Sequence, residues 1–294
     1  MKDTDPASAG FERIRMGAVL SAPLSRGLPS ERADIPLSTF EAFCETLQQS
    51  VGLRIDACVF ADYSALLQGL EQGAADVAWL PPVLALRSAV DGTATPLAHP
   101  CRGTVDSYSS ALISSPDSGI ADPVDLAGVR AAWVDPHSAS GYLIMRAWLL
   151  SQRIDPSVAF REEQFLGTHE AVVQAVLQGD ADVGATYTHV DPHTHVLFAS
   201  AWGNATVEVI SLAGPIPSDV IAASTRLPEH LMARVQSSLV HNEDRRFPYA
   251  CKALFGAQGF EPANPAHIEP LRDMLRHLDE PTVGWWSIPP PAPT

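Results

Sequence analysis

The sequence predicts an α/β protein built as two similar lobes, and three observations carry that expectation. Apolar strand-like runs alternate with helical stretches, a segment around residue 72 recurs around residue 178, and 294 residues suffice for one large or two ordinary domains with real cores. Ile14 to Leu20 reads as a first strand, Ser38 to Val51 as a helix opened by a Ser38 cap, and Leu53 to Phe60 as a second strand. Tyr63 to Gln72 is a helix stopped by Gly73, and Asp76 to Leu80 is a strand closed by Pro81-Pro82. Val129 to Val134, Val158 to Phe165, Val183 to Tyr187 and Val207 to Leu212 are later strands, with helices near Gly141 to Gln152 and His169 to Gln178. This alternation means open sheets flanked by helices. The proline-rich tail after Pro281 is expected to be loose, with Trp285-Trp286 packing a terminal segment or marking a partner surface.

The repeat is the most informative feature. Residues 68–77, QGLEQGAADV, align without gaps on residues 174–183, QAVLQGDADV, at an offset of 106. The shared unit is an amphipathic helix, a glycine stop, a polar turn and a strand of small and β-branched residues. Two copies this far apart suggest two lobes; a solenoid needs shorter and more numerous repeats. A two-lobed α/β protein places its ligand in the crevice between lobes, outside strand ends.

Composition narrows the function. Nineteen Lys and Arg against 34 Asp and Glu give a net charge of −15, which argues against a nucleic-acid binder. A small anion is still compatible, because one site can be locally positive on an acidic molecule. No run approaches the roughly 20 apolar residues of a membrane span. The first residues lack the basic region and apolar segment of a leader, so a cytoplasmic location is expected if Met1 is the native start. If a leader has been removed, the location is extracytoplasmic. Cys44, Cys58, Cys101 and Cys251 are scattered and read as buried or half-buried thiols, neither a disulfide framework nor a metal site.

Asp135-Pro136-His137-Ser138-Ala139-Ser140-Gly141-Tyr142 follows a strand and opens a helix. At such a junction backbone N–H groups and the helix dipole stabilise an oxyanion, and the Ser138 and Ser140 hydroxyls can donate to the same oxygens. The plainer reading is an ordinary serine N-cap. Gly167-Thr168-His169-Glu170 lies at a second loop-to-helix junction, with Thr168 as cap and His169 a possible donor. The 106-residue offset maps His169 onto Tyr63, so equivalent helix starts present two hydrogen-bonding side chains. His189, His193 and His195 with Asp191 are irregularly spaced around Pro192 and read as a solvated loop. No phosphate-binding loop with Lys, dinucleotide fingerprint, Gly-x-Ser-x-Gly or His-Glu-x-x-His occurs, so no cofactor, metal or catalytic residue is expected.

Taken in order, these motifs resemble the phosphonate-type substrate-binding proteins of ABC importers, within the type II periplasmic binding protein class. The matching pieces are Asp62-Tyr63 before the helix ending Gln72-Gly73, Ala75 to Pro81, Tyr108 to Ile113 and Asp117 to Ile120. Asp125 to Gly128, the Ser138 to Tyr142 helix start, Gly167 to Glu170 and Gly179 to Ala185 complete them. The resemblance covers about residues 12 to 275. It implies a clamshell of two lobes, each a mixed sheet flanked by helices: 12–105 with 217–294, and an inserted 106–216. It further implies an anion held in the interlobe cleft by Ser138, Ser140, the backbone of Ala139 to Tyr142 and His169, with Tyr63 and Tyr108 from the other side or the hinge. Thr168 and His189 stand behind these, and residues 10–30 could shape the pocket wall. The family commonly has threonine where Ala139 stands, one hydroxyl donor fewer. An acidic residue that some members set against a ligand amino group falls near His189. That argues against an aminoalkyl phosphonate and leaves another oxyanion, or a larger organic acid, open.

The implied function is non-catalytic capture of a small oxyanion (phosphonate, phosphate, phosphite or similar) for an ABC importer, with a permease or a signalling protein as partner. The alternatives are a cytosolic ligand-sensing domain of the same fold and a cofactor-biosynthesis enzyme on a similar scaffold. The enzyme would need a base and nucleophile, and only His169 and His189 offer themselves.

Overall fold

The computed structural model describes residues 12–20, 36–102, 107–191 and 193–275. The wall segment 10–30, apart from 12–20, and the Trp285-Trp286 tail lie outside them. The chain forms two mixed sheets. The first runs β12-β4-β11-β3-β1-β2, from Gly259–Pro262, Ala94–Cys101, Val220–Ser224, Val77–Leu80, Arg13–Ala18 and Arg54–Val59. The second runs β10-β5-β8-β6-β7, from Glu208–Pro217, Ser107–Ser114, Val183–Val190, Val129–Trp133 and Phe160–Phe165, and short β9 (Leu197–Phe198) pairs with β8. In each sheet a parallel trio (β2-β1-β3 and β7-β6-β8) continues into antiparallel strands.

The internal repeat is structural. Helices α2 (Tyr63–Gln72) and α6 (His169–Gln178) both start at an N-cap side chain and stop at a left-handed glycine, Gly73 and Gly179. After each stop, the carbonyl of Gly69 accepts from Ala74 and Ala75, as that of Ala175 does from Asp180 and Ala181. Then one aspartate clasps the neighbouring strand. Asp76 accepts from Arg15 N, Nε and Nη2 at 2.8, 2.9 and 2.7 Å. Asp182 accepts from the same three atoms of Arg130 at 2.8, 3.2 and 2.7 Å. These charge-assisted forks fix the register of β3 on β1 and of β8 on β6.

Each sheet has its own apolar core. Around the first, Phe43, Phe247, Phe255 and Phe260 pack edge-on or tilted beneath α1 (Leu37–Val51), α7 (Glu229–Val240) and α8 (Phe247–Phe255). Around the second, Trp133, Leu112, Ile144 and Ile216 are fully buried with α4 (Ile144–Ser151). Helix α9 (Pro265–Leu275) lies against α3 (Pro82–Val90), α4 and β10, with Leu271 and Leu275 inside the second core.

Several expected boundaries move. Helix α1 starts at Leu37 behind Pro36, with no side-chain cap, so Ser38 sits inside the first turn. The second expected late strand, from Val158, starts at Phe160, because Pro156–Ala159 (α5) coils behind an Asp155 cap. The strand expected to end at Leu212 runs to Pro217. The helix expected from Gly141 starts as a π-turn over Ala139–Leu143 and becomes α-helical at Ile144.

Candidate functional site

Two chain segments cross between the sheets, β4 to β5 and β10 to β11, and the candidate residues gather beside them. The Ser138 turn is set by the end of β6. Val134 N–H donates to the Gly141 carbonyl at 3.1 Å, and Gly141 N–H donates to Ser138 Oγ at 3.0 Å. Gly141 is required there: a Cβ would stand 2.3 Å from Val134 Cγ2 and 2.8 Å from Ser138 Oγ. Ser138 Oγ therefore accepts from the turn and keeps its proton to give away. Ser140 is buried, and Ser110 of β5 donates to its carbonyl at 2.5 Å. The Ala139 methyl belongs to the second core. The Tyr142 ring is packed edge-on against Trp133 and Phe165, with the Arg146 guanidinium 5.5 Å away. Ala139 and Tyr142 can thus serve a ligand only through their backbone, whose first helical N–H groups have no partner within the helix.

His169 is buried at the start of α6. Burial pushes its pKa down to about 3, so the imidazole is neutral. Its Nδ1 lies 2.9 Å from Thr186 Oγ1 and its ring stands edge-on to Tyr187 at 4.8 Å. A neutral ring offers one donor or one acceptor toward a ligand, not a positive charge. Thr168 is exposed and spent as the cap, accepting from Ala171 N–H at 3.0 Å.

The rings continue from there. Tyr187 lies 6.3 Å from His189, and His189 lies 6.4 Å from Tyr108. Tyr108 is within electrostatic range of Tyr63, Asp219 and Arg102, and burial raises its phenol above the ordinary value. His189, expected in a solvated loop, is half-buried against Phe198 at 5.4 Å, with Nδ1 3.4 Å from the Ala199 carbonyl. Burial, then Arg102, hold it below its usual pKa. Asp191 is committed to its own turn, accepting from His193 and Thr194 N–H. Among the described residues no group of His, Cys, Asp and Glu is placed to hold a metal ion.

Tyr63 completes the set from the first sheet, lining a groove with Gln68, Arg87, Ser88 and His137. His137 immediately precedes Ser138, so this groove joins the α2 start to the Ser138 turn. The candidate site therefore draws Tyr63, Tyr108, Ser138, Ser140, His169 and His189 from five separate stretches of chain.

Sequence reasoning missed its neighbours. Tyr187 was signalled by period: it is two residues before His189, on the same face of β8. Arg102 and Asp219 sit on the two crossovers, which only the topology pairs. Asp219 is buried, receives Trp79 Nε1–H at 3.0 Å, and burial pushes its pKa up to about 6. Asp135 is similar: His137 N–H donates to Oδ1 at 2.8 Å, Oδ2 is shut from solvent without a hydrogen-bond partner, and burial pushes the group up to about 7.

Comparison with known proteins agrees with this architecture. XAC2383 from Xanthomonas citri, solved with chloride or with ATP, superposes with a TM-score of 0.71 at 20% and 19% identity, covering 91% of this chain and 97% of that one. PhnD1 from Prochlorococcus marinus in complex with methylphosphonate gives 0.65 at 16% identity, covering 91% and 98%. The phosphate-import protein PhnD of Mycolicibacterium smegmatis is 26% identical over 175 residues, 56% of this chain; the match spans about half, 54%, of that relative. Residues 27–268 match the family described as ABC transporter, phosphonate, periplasmic substrate-binding protein. The family is one of transport components, not of enzymes. The chain belongs to this phosphonate-type periplasmic substrate-binding family of ABC transporters.

Proposed function

We propose that the protein captures a small tetrahedral oxyanion, phosphonate or phosphate, between lobes 12–105 with 217–264 and 106–216, with α9 spanning both, and delivers it outside the cytoplasm to an ABC permease. The observation that carries this is the Ser138 turn: a π-turn opening a helix, two buried serines, and a glycine without which the turn could not close on Val134. An oxyanion taken from water needs every oxygen satisfied, and hydrogen bonds to a charged group contribute about 1.5–3 kcal/mol each. Neutral donors do this without a lysine. The relatives support the ligand class: one is described as importing phosphate and another was solved with methylphosphonate. A third, XAC2383, was solved bound to chloride and to ATP.

Native mass spectrometry of the purified protein, followed by a thermal-shift screen with phosphate, phosphite, methylphosphonate and sulfate, tests the reading. A retained phosphorus oxyanion, or a melting temperature raised by micromolar phosphorus oxyanion, is the expected result. The absence of both, no retained phosphorus oxyanion and no shift with any phosphorus oxyanion, overturns it.

A further inference from the structure

We propose that Arg102 is a positioning residue for ligand capture: its guanidinium bolts together the two segments that join the lobes and so fixes Tyr108 and Asp219 in the cleft. Arg102 directly follows β4 on the outgoing crossover. Its Nη1 donates to Ser218 Oγ on the return crossover at 3.0 Å, and its Nε donates to the Phe255 carbonyl at 3.0 Å. Phe255 is the last residue of α8, where helix carbonyls lack partners and the dipole favours a cation. One planar fork thus anchors both crossovers to the first lobe's core, a task for which lysine's single ammonium is poorly shaped. Hinge bending is thereby displaced to the second-lobe side of the bolt, where β10 bulges against β5 between Ala213 and Ile216.

The same cation sets the charge of the cleft. Asp219, adjacent to Ser218, is faced by Arg102 from the end of β4, by the Trp79 indole from β3 and by Tyr108 from β5. Arg102 lowers the carboxyl's pKa, opposing the upward push of burial. The charge of Arg102 also reaches Tyr108 and His189. Losing Arg102 should therefore do two things: loosen the crossovers and raise the pH at which Asp219 ionises.

Both effects are measurable on the whole chain. The Trp79 indole N–H resonance, assigned with Trp79→Phe, reports Asp219 ionisation without any ligand, and calorimetry with methylphosphonate reports capture. For Arg102→Gln the inference expects an Asp219 midpoint moved upward from the wild-type value and methylphosphonate bound at least about tenfold more weakly. Arg102→Lys keeps the charge but not the fork, so its midpoint should stay near wild type while affinity still falls. An Arg102→Gln protein that binds within twofold of wild type overturns the inference. So does weakened binding with an unmoved midpoint, which makes Arg102 merely structural. If Arg102→Gln does not fold, the Arg102→Lys pair of readouts decides. The inference rests on the oxyanion reading only through its binding arm. If the wild type binds no oxyanion, that reading falls, and the Trp79 midpoint judges Arg102 alone.

Discussion

Substituting Gly141 by alanine puts one methyl group where the structure has no room. The new Cβ would lie 2.3 Å from Val134 Cγ2, 2.5 Å from Val134 Cβ and 2.8 Å from Ser138 Oγ, all well inside the 3.5–4.0 Å of ordinary carbon contact. Val134 is 0% exposed and packs with Val172 and Val176, so it has nowhere to retreat. The π-turn must move instead, breaking the Gly141 N–H bond to Ser138 and the Val134 N–H bond to Gly141. Overpacking of this kind costs about 1–3 kcal/mol, and each displaced hydrogen bond about 1 more. Urea denaturation should show Gly141→Ala destabilised by about 3–5 kcal/mol, and methylphosphonate should no longer raise its melting temperature. Adding Val134→Ala removes the opposing methyls, so the double variant should cost less than the two singles together. A Gly141→Ala protein within about 0.5 kcal/mol of wild type, still responsive to ligand, would refute the account of the turn.

Three further outcomes follow from the same geometry. Ser138→Ala/Ser140→Ala should abolish any thermal shift given by phosphate or methylphosphonate, and should lower the apo melting temperature by a few degrees because Gly141 N–H loses its Ser138 acceptor. Asp76→Asn should cost about 2–3 kcal/mol in urea denaturation and Asp182→Asn about 1, because their side chains are 8% and 26% exposed and Arg130 keeps the Gly179 carbonyl as a second acceptor. His169 binds its proton near pH 6.5 when unfolded but only near 3 when folded, so the wild type loses stability as pH falls from 6.5 toward 3. His169→Gln should lose less melting temperature than wild type between about pH 7 and pH 4; equal losses would show that the imidazole is not buried neutral. Asp135 and Asp219, whose raised values act in the opposite sense, are common to both proteins and cancel in that comparison.

The parts of the fold legible in the sequence were those with local punctuation. Helices α2 and α6 were bounded to the residue, since Asp62 and Thr168 cap them and Gly73 and Gly179 end them. What escaped lacked such marks. Helix α3 opens on Pro81-Pro82 and is buried along most of its length, so it has no amphipathic period to read. Strand β4 carries Pro96 and Pro100, which argue against a strand, and β11 is five buried residues, most of them small. The Ser138 turn was legible because strand, small residues and helix are contiguous. Its π-turn was not, since that depends on Gly141 meeting Val134. The His169 side chain was placed correctly at a helix start, but its neutrality comes from burial by β8, a long-range fact. Arg102, Asp219 and Phe198 were invisible for the same reason: each acquires its neighbours only when crossover segments or a hairpin bring distant stretches together.

Helix α9 alters how far such a molecule can move. Two crossovers alone would let one half swing on the other as a door swings on two pins. Here the chain returns a third time: Ile268 packs both on the second core and on the cluster that holds Leu66, Leu70 and Leu84, while Leu271 and Leu275 are sunk in the second core. Swinging wide would peel one side of α9 off and expose apolar area at about 25 cal/mol per Å². In any such swing that tether would limit the travel, and shutting would re-cover α9 in addition to whatever an anion contributes.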